Sequence, residues 1–259
     1  MAENQPRGPG EHTVTAAMIV IGNEILSGRV QDKNLNFIAT RLNALGIRLT
    51  EARVVIDQHD AIVKAVNETR AAYDYVFTSG GIGPTHDDIT ADSVAAAFCV
   101  GIDHNPEAVA ILEAHYQPGM LNEARLRMAR IPDGAELVEN PVSHAPGFRL
   151  ENVYVFAGIP SIMQAMFESI RHQLIGGAPI QSIQVTSYLP EGVIAGPLGA
   201  IQADFPDLDM GSYPFYRGQR FGTTVVFRGT DEADLNAAAE AFRDIVRQND
   251  QEPIDGEVS

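Results

Sequence analysis

With 259 residues, of which 45% are hydrophobic and 20% charged, the chain is long enough for one large or two small domains and has an ordinary globular composition. Its 34 Asp and Glu against 18 Lys and Arg leave a formal net charge of −16 with no basic stripe to offset it, which argues against nucleic acid as a partner. No apolar run approaches membrane-spanning length, a single Cys99 leaves no intrachain disulfide, and Ala2 to Glu11 lacks the basic-then-apolar order of a signal peptide. These features predict a cytoplasmic protein, free of the membrane, whose residues 1–13 form a disordered tail. A small anionic ligand stays compatible with the charge, because a nest of amides or a metal overrides the global field locally.

Thr15 to Ile21 reads as a first strand, buried on both faces because it is apolar without alternation. It runs into a polar loop, Gly22-Asn23-Glu24-Ile25-Leu26-Ser27-Gly28. Helical spacing comes next at Leu35, Ile38, Ala39, Leu42 and Leu45, with Gly46 as the stop and Asp32 or Asn34 able to cap the start. Arg48 to Ile56 is a second strand, Ala61 to Thr69 a second helix, and Tyr75-Val76-Phe77-Thr78 a third strand rich in aromatic and β-branched types.

The third strand feeds the stretch Ser79-Gly80-Gly81-Ile82-Gly83-Pro84-Thr85-His86-Asp87-Asp88-Ile89-Thr90. Gly80, Gly81 and Gly83 let the backbone approach a ligand with no Cβ in the way. Thr90 reads as the hydroxyl N-cap of a helix running to Phe98, so Asp87 and Asp88 precede the positive end of its dipole. Amides in such a loop suit a phosphate, and the two carboxylates suit a hard divalent cation bridging it. Glycines alone would fit a plain turn with a solvated acidic cap; the attached Thr85-x-Asp87-Asp88-x-Thr90 pattern favours a site.

Asn105 to Arg130 reads as helical, and Arg125, Arg127 and Arg130 as its solvated surface, since their spacing does not share one face. Pro141 to Phe148 is turn-rich. Val153 to Phe156 is a further buried strand, ending in Ala157-Gly158-Ile159-Pro160-Ser161 before an amphipathic helix, Ile162 to Leu174. Alternating strands and helices predict an α/β domain with a doubly wound, mostly parallel sheet over residues 14–177. Its glycine-bearing strand-end loops, Gly22–Gly28, Gly80–Asp88 and Gly158–Ser161, are expected to converge, because ligands in such folds lie beyond the strands' carboxyl ends. Gly176-Gly177-Ala178-Pro179 marks a boundary, and a β-α-β-β-α order over 178–248 predicts a small α+β domain. Residues 249–259 read as a disordered acidic tail.

Five motifs occur in register: Gly22-Asn23-Glu24-Ile25-Leu26-x-Gly28 with Asp32-x-Asn34, the glycine and aspartate stretch, Ile131-Pro132-Asp133-Gly134-Ala135, Ala145-Pro146-Gly147-Phe148, and Gly158-Ile159-Pro160-Ser161. Together they resemble the amino-terminal portion of CinA-type competence/damage-inducible proteins, part of the wider MoaB/Mog molybdopterin-binding fold that is also fused to some eukaryotic FAD synthases. The small domain, with Gly211-Ser212-Tyr213-Pro214, resembles that family's α+β appendage, whereas its carboxyl-terminal nicotinamide-nucleotide amidase domain has no counterpart. The resemblance implies a phosphate-bearing nucleotide or pterin as ligand, metal-dependent hydrolysis of a nucleotide pyrophosphate such as ADP-ribose or FAD, and a homo-oligomer, dimer or trimer. It places the acid pair at Asp87 and Asp88, the glycine loop at Gly80, Gly81 and Gly83, and the polar first loop at Glu24, Asp32 and Asn34.

On this reading Asp88 and Asp87 hold Mg²⁺, Mn²⁺ or Co²⁺, and Glu24 or Asp87 orients the attacking water. Ser27, Thr85, Thr90, Gly158, Pro160 and Ser161 complete the ligand-binding set. Glu24 fits equally well as a strand-end turn acid, and His86 as an exposed loop side chain rather than a base. Two departures from relatives stand out: Ala157-Gly158-Ile159-Pro160 where Pro-Gly-Pro-Pro or Pro-Gly-Asn-Pro is frequent, and His86 where an acid is frequent. The alternatives are a molybdopterin- or nucleotide-binding module without turnover, a molybdenum-cofactor biosynthesis protein, and a partner-dependent subunit that has lost the site.

Overall fold

Residues 13–256 are described by a computed structural model, so the expected amino-terminal tail lies outside the described residues except for Thr13. The chain divides into two compact units, the first ending at Gly177 and the second beginning at Ala178.

In the first unit the elements are β1 (Thr15–Ile21), α1 (Asn23–Leu26), α2 (Asn34–Ala44), β2 (Arg48–Val55), α3 (His59–Ala72), β3 (Tyr75–Ser79) and α4 (Thr90–Phe98). Then come β4 (Ile102–His104), α5 (Pro106–His115), α6 (Glu123–Leu126), β5 (Arg130–Pro132), β6 (Glu136–Val138), β7 (Gly147–Leu150), β8 (Val153–Phe156) and α7 (Pro160–Ile170). Six strands form one sheet in the order β2-β1-β3-β8-β7-β6. The first four run parallel, while β7 and β6 continue it antiparallel. The unit is thus an α/β, mostly parallel fold, with an antiparallel end whose strand β7 begins within the Pro141–Phe148 segment that the sequence presents as turns.

Burial on both faces explains the apolar character of β1. Ile19 and Ile21 enter one core cluster with Ile62, Val66 and Val94 from α3 and α4, whereas Met18 and Val20 enter a second with Ile38 and Leu42 of α2 and Met163, Met166 and Phe167 of α7. Side chains alternate across a strand, so a strand covered by helices on both sides needs apolar residues at every position. β2 lies at the sheet edge and shows the complementary pattern, with intermediate and exposed positions alternating along most of its length.

The expected helix from 105 to 130 is broken. α5 ends at His115, and Arg127–Ala129 is a single 3₁₀ turn after α6. Asn105 caps α5, its side-chain oxygen accepting from the amides of Glu107 and Ala108 at 3.0 Å.

In the second unit β9 (Gln181–Ser187), α8 (Glu191–Asp204), β10 (Asp209–Arg217), β11 (Arg220–Gly229) and α9 (Glu232–Gln248) keep the expected order. The sheet is antiparallel, ordered β10-β11-β9-β12, and packs Val185, Val225 and Phe227 against Ile194 of α8 and Leu235 and Phe242 of α9. The fourth strand, β12 (Ile254–Asp255), falls where the sequence reads as disordered tail. Backbone pairing of Ile254 with Thr186 places it, and the Arg243 guanidinium holds the Asp255 carboxylate at 2.8 Å. Local acidity predicts disorder only when no partner is supplied from afar.

Candidate functional site

The register of the parallel strands builds the site. Val20 of β1 lies beside Ser79 of β3, and Ser79 beside Phe156 of β8, so the chain leaves all three strands side by side. Each strand continues into a glycine-bearing loop, and the packing leaves no room for a side chain at Gly80 and little at Gly158. A Cβ on Gly80 would stand 2.2 Å from the Ile21 carbonyl oxygen, and one on Gly158 would stand 3.2 Å from the Gly80 Cα. The three loops therefore meet.

Asn34 fastens them. At 3% exposure, it uses its one amide nitrogen twice, donating to Ser79 Oγ at 2.7 Å and to the Gly158 carbonyl at 2.8 Å. Its buried Oδ1 has no hydrogen-bond partner among the described residues. The capping role belongs to Asp32 instead, whose Oδ1 accepts from the Leu35 amide at 2.8 Å. Replacing Asn34 by Ala strips the buried Ser79 hydroxyl and the part-buried Gly158 carbonyl of their donor, at a combined cost of about 2 kcal/mol, most of it from the buried group. The expected result for Asn34→Ala is a fall of roughly 4–8 °C in the unfolding midpoint of the first unit, read by thermal denaturation.

Thr90 is the first residue of α4 rather than its cap, since Ile89 precedes it with no capping side chain. The Thr90 hydroxyl, fully buried, donates to the Gly80 carbonyl at 2.9 Å, and its amide donates to the Gly81 carbonyl at 2.9 Å. With both carbonyls held inward, the turn offers its other side: among the described residues the amides of Gly81, Ile82 and Gly83 donate to no protein acceptor. Successive amides left open beside a helix N-terminus form an anion-binding surface.

The acid pair lies against this turn. A Cβ on Gly83 would come within 2.7 Å of Asp88 Oδ2, so the Asp88 carboxylate rests on the glycine backbone. Asp88 Oδ2 also accepts from the Thr85 amide at 2.8 Å. Thr85 Oγ1 lies 2.5 Å from both Asp87 Oδ1 and Asp88 Oδ2. One hydroxyl has one proton, so only one of those contacts is a donated hydrogen bond, and the turn holds two carboxylates close together. The Thr85 hydroxyl, first, and a backbone amide, second, keep the exposed Asp87 carboxyl below its ordinary range, with a smaller contribution from the His86 imidazole. Asp87 is accordingly an anion at neutral pH.

These groups fit a hard divalent cation. No cluster of three or more His, Cys, Asp or Glu suited to a metal occurs among the described residues. An ion held by the pair would draw its remaining oxygens from water and ligand phosphate, which is the habit of Mg²⁺.

The remaining expected residues do not join the acid pair and do not line the cleft beside Asp88. Glu24 curls back so that its carboxylate lies where a Gly22 Cβ would sit, 2.5 Å from that position, and it does not line the cleft beside Asp88. Ser27 is exposed and donates to the Glu24 carbonyl at 3.2 Å. Pro160 opens α7, where a missing amide costs nothing, and Ser161 comes next, exposed.

Two arginines read from the sequence as solvated belong here instead. Arg127 and Arg130 line the cleft formed with Gly81, Gly83 and Asp88. Arg130 is neutralised by Asp92, at 2.8 and 2.7 Å. Arg127 donates from Nη2 to the Asp88 carbonyl at 3.3 Å. Only the break after α5 turns them toward the glycines, and residue spacing carries no sign of it.

Comparison with known proteins agrees with this architecture. Residues 17–176 match the family described as probable molybdopterin binding domain, and residues 179–252 match the FAD synthase middle domain. A protein of Archaeoglobus fulgidus is 31% identical over 234 residues, covering 88% of this chain and 96% of the relative. A probable FAD synthase of Caenorhabditis briggsae is 30% identical over 264 residues, covering 92% of this chain, which spans only 50% of that relative's length. Among solved structures, the protein CinA of unknown function from Thermoplasma acidophilum superposes with a TM-score of 0.60 at 33% identity, over 62% of this chain and 98% of that one. With its glycine turn, acid pair and both matched regions in order, the chain belongs to the probable molybdopterin binding domain family of MoaB/Mog fold, as a CinA-like member continued by a domain of the FAD synthase middle type.

Proposed function

We propose that the protein hydrolyses the diphosphate bridge of a nucleotide of ADP-ribose or FAD type with the help of a divalent cation. The observation that carries this reading is the meeting of Asp87 and Asp88 on Thr85, directly against the Gly80–Gly83 turn. The open amides of Gly81, Ile82 and Gly83 would hold phosphate oxygens as negative charge grows on them. Asp88 and Asp87 would hold the ion, which when bound supplies charge neutralisation and Lewis acidity at phosphorus. Asp87, exposed and ionised at neutral pH, would be the carboxylate that orients water, a reading supported by Glu24 standing at its own strand end. The partly matching FAD synthase relatives support a nucleotide as ligand.

Purified protein incubated with ADP-ribose, FAD or NAD and Mg²⁺, Mn²⁺ or Co²⁺ is expected to release AMP, measured by chromatography, and to stop when the ion is chelated. No AMP from any of these substrates under any of the ions removes the hydrolase reading. The family description favours a second reading, retention of a pterin phosphate without turnover. Its signature is saturable binding of such a compound by a protein that releases no AMP.

A further inference from the structure

Arg127 and Arg130 sit three positions apart and line the same cleft, yet their charges are treated differently. Arg130 has a two-pronged partner in Asp92. Arg127 makes no ion pair among the described residues, and its one hydrogen bond goes to a neutral backbone carbonyl, that of Asp88, at a long 3.3 Å. Its Nε is buried and has no hydrogen-bond partner among the described residues. The residue as a whole is half-buried, but withdrawing one guanidinium nitrogen from water without a partner is unfavourable. A guanidinium fork also matches the geometry of phosphate oxygens, which an ammonium does not.

We infer that Arg127 binds a phosphate oxygen of the ligand at the glycine turn, so that the site has a cationic wall opposite its open amides. This assignment rests on the reading of the turn as a phosphate site, not on the hydrolytic step. Through its bond to the Asp88 carbonyl, the same side chain links the incoming phosphate to the backbone of the acid pair. The ligand class it selects is a phosphate or diphosphate ester, in a chain whose net charge of −16 would otherwise repel one.

Calorimetric titration of the whole chain with inorganic pyrophosphate, with and without Mg²⁺, tests the assignment. Arg127→Met is expected to weaken binding about tenfold to a hundredfold, the range for losing a charge-assisted hydrogen bond. Arg125→Met makes the same change of net charge two residues away, where the guanidinium lies over the Tyr116 ring, and is expected to shift affinity less than about twofold. Arg127→Lys keeps the charge but not the fork and should fall between wild type and Arg127→Met. Equal losses in Arg125→Met and Arg127→Met, no loss in Arg127→Met, or no binding of pyrophosphate by the wild type overturns the assignment. Should Arg127→Met fail to fold, Arg127→Lys decides, and an unchanged affinity there overturns it. AMP release measured on the same samples separates the two proposals. Wild type that binds pyrophosphate through Arg127 but releases no AMP loses only the hydrolase reading, whereas AMP release with pyrophosphate affinity unchanged in Arg127→Met loses only the arginine.

Discussion

Asp88→Asn is expected to lower AMP release at least about a hundredfold while leaving the fold in place. Loss of one charge-stabilising group from a site of this kind costs on the order of 10²–10³ in rate, and under the proposed function the group is also half of the ion's protein ligands. The substitution is nearly isosteric. An amide oxygen can still accept from the Thr85 amide, the bond that shapes the turn at 2.8 Å, so the unfolding midpoint should move only slightly. The Thr85 hydroxyl then faces Asp87 as its single anionic partner. Raising the Mn²⁺ or Mg²⁺ concentration is expected to recover part of the activity, because Asp87 remains ionised and still attracts the ion. Rate assays on ADP-ribose across a metal titration, beside a thermal melt, check both halves. Wild-type turnover by a folded Asp88→Asn protein would remove the acid pair from the chemistry.

How far the site could be read from the sequence depended on how local its causes were. β1, β3 and β8 are legible because burial on two faces forces unbroken apolar runs, and the residues after them carry the glycines that convergence requires. β6 and β7 were not legible: each is three or four residues long, and the Pro141 to Phe148 stretch between and within them looks like turns. Phe148, buried at 1% exposure, gains its place by pairing with Val155 of β8 on one side and Leu137 of β6 on the other. Thr90 resembles a cap because threonine at a helix start commonly is one, but its hydroxyl reaches ten residues back to Gly80. Asn34 and Asp32 were interchangeable as caps until the fold supplied Ser79 and Gly158 as partners for one of them. Arg127 is the extreme case, since its meaning depends on the break between α5 and α6 that no spacing rule encodes. Long-range partners, rather than residue types, separate what was read from what was not.

Gly80→Ala is expected to unfold the first unit or bring it close to unfolding, the largest stability effect at this site. Two costs add there. The backbone has φ +108°, a conformation that side-chain-bearing residues rarely adopt, at about 1–3 kcal/mol. The new Cβ would also stand 2.2 Å from the Ile21 carbonyl oxygen, and that oxygen belongs to the end of β1, which is fixed by pairing on both sides. A backbone atom in a central strand cannot turn away as a side chain can, so the strands must part, and the packing of neighbouring Gly158 on the Gly80 Cα parts with them. A total near 4 kcal/mol or more corresponds to a fall of roughly 8–16 °C in midpoint, or to an unfolded first unit at growth temperature. Gly83→Ala provides the contrast. There the obstacle is Asp88 Oδ2 at 2.7 Å, a side-chain atom that can swing aside, and the backbone is not in the left-handed region. That variant should stay folded yet lose activity, because the carboxylate that yields is the one proposed to hold the ion. Thermal melts of the two variants beside their AMP release therefore resolve the two functions of the turn. If Gly80→Ala melted like the wild type, the close approach of β1 to the glycine turn, on which the convergence of the loops depends, would not exist.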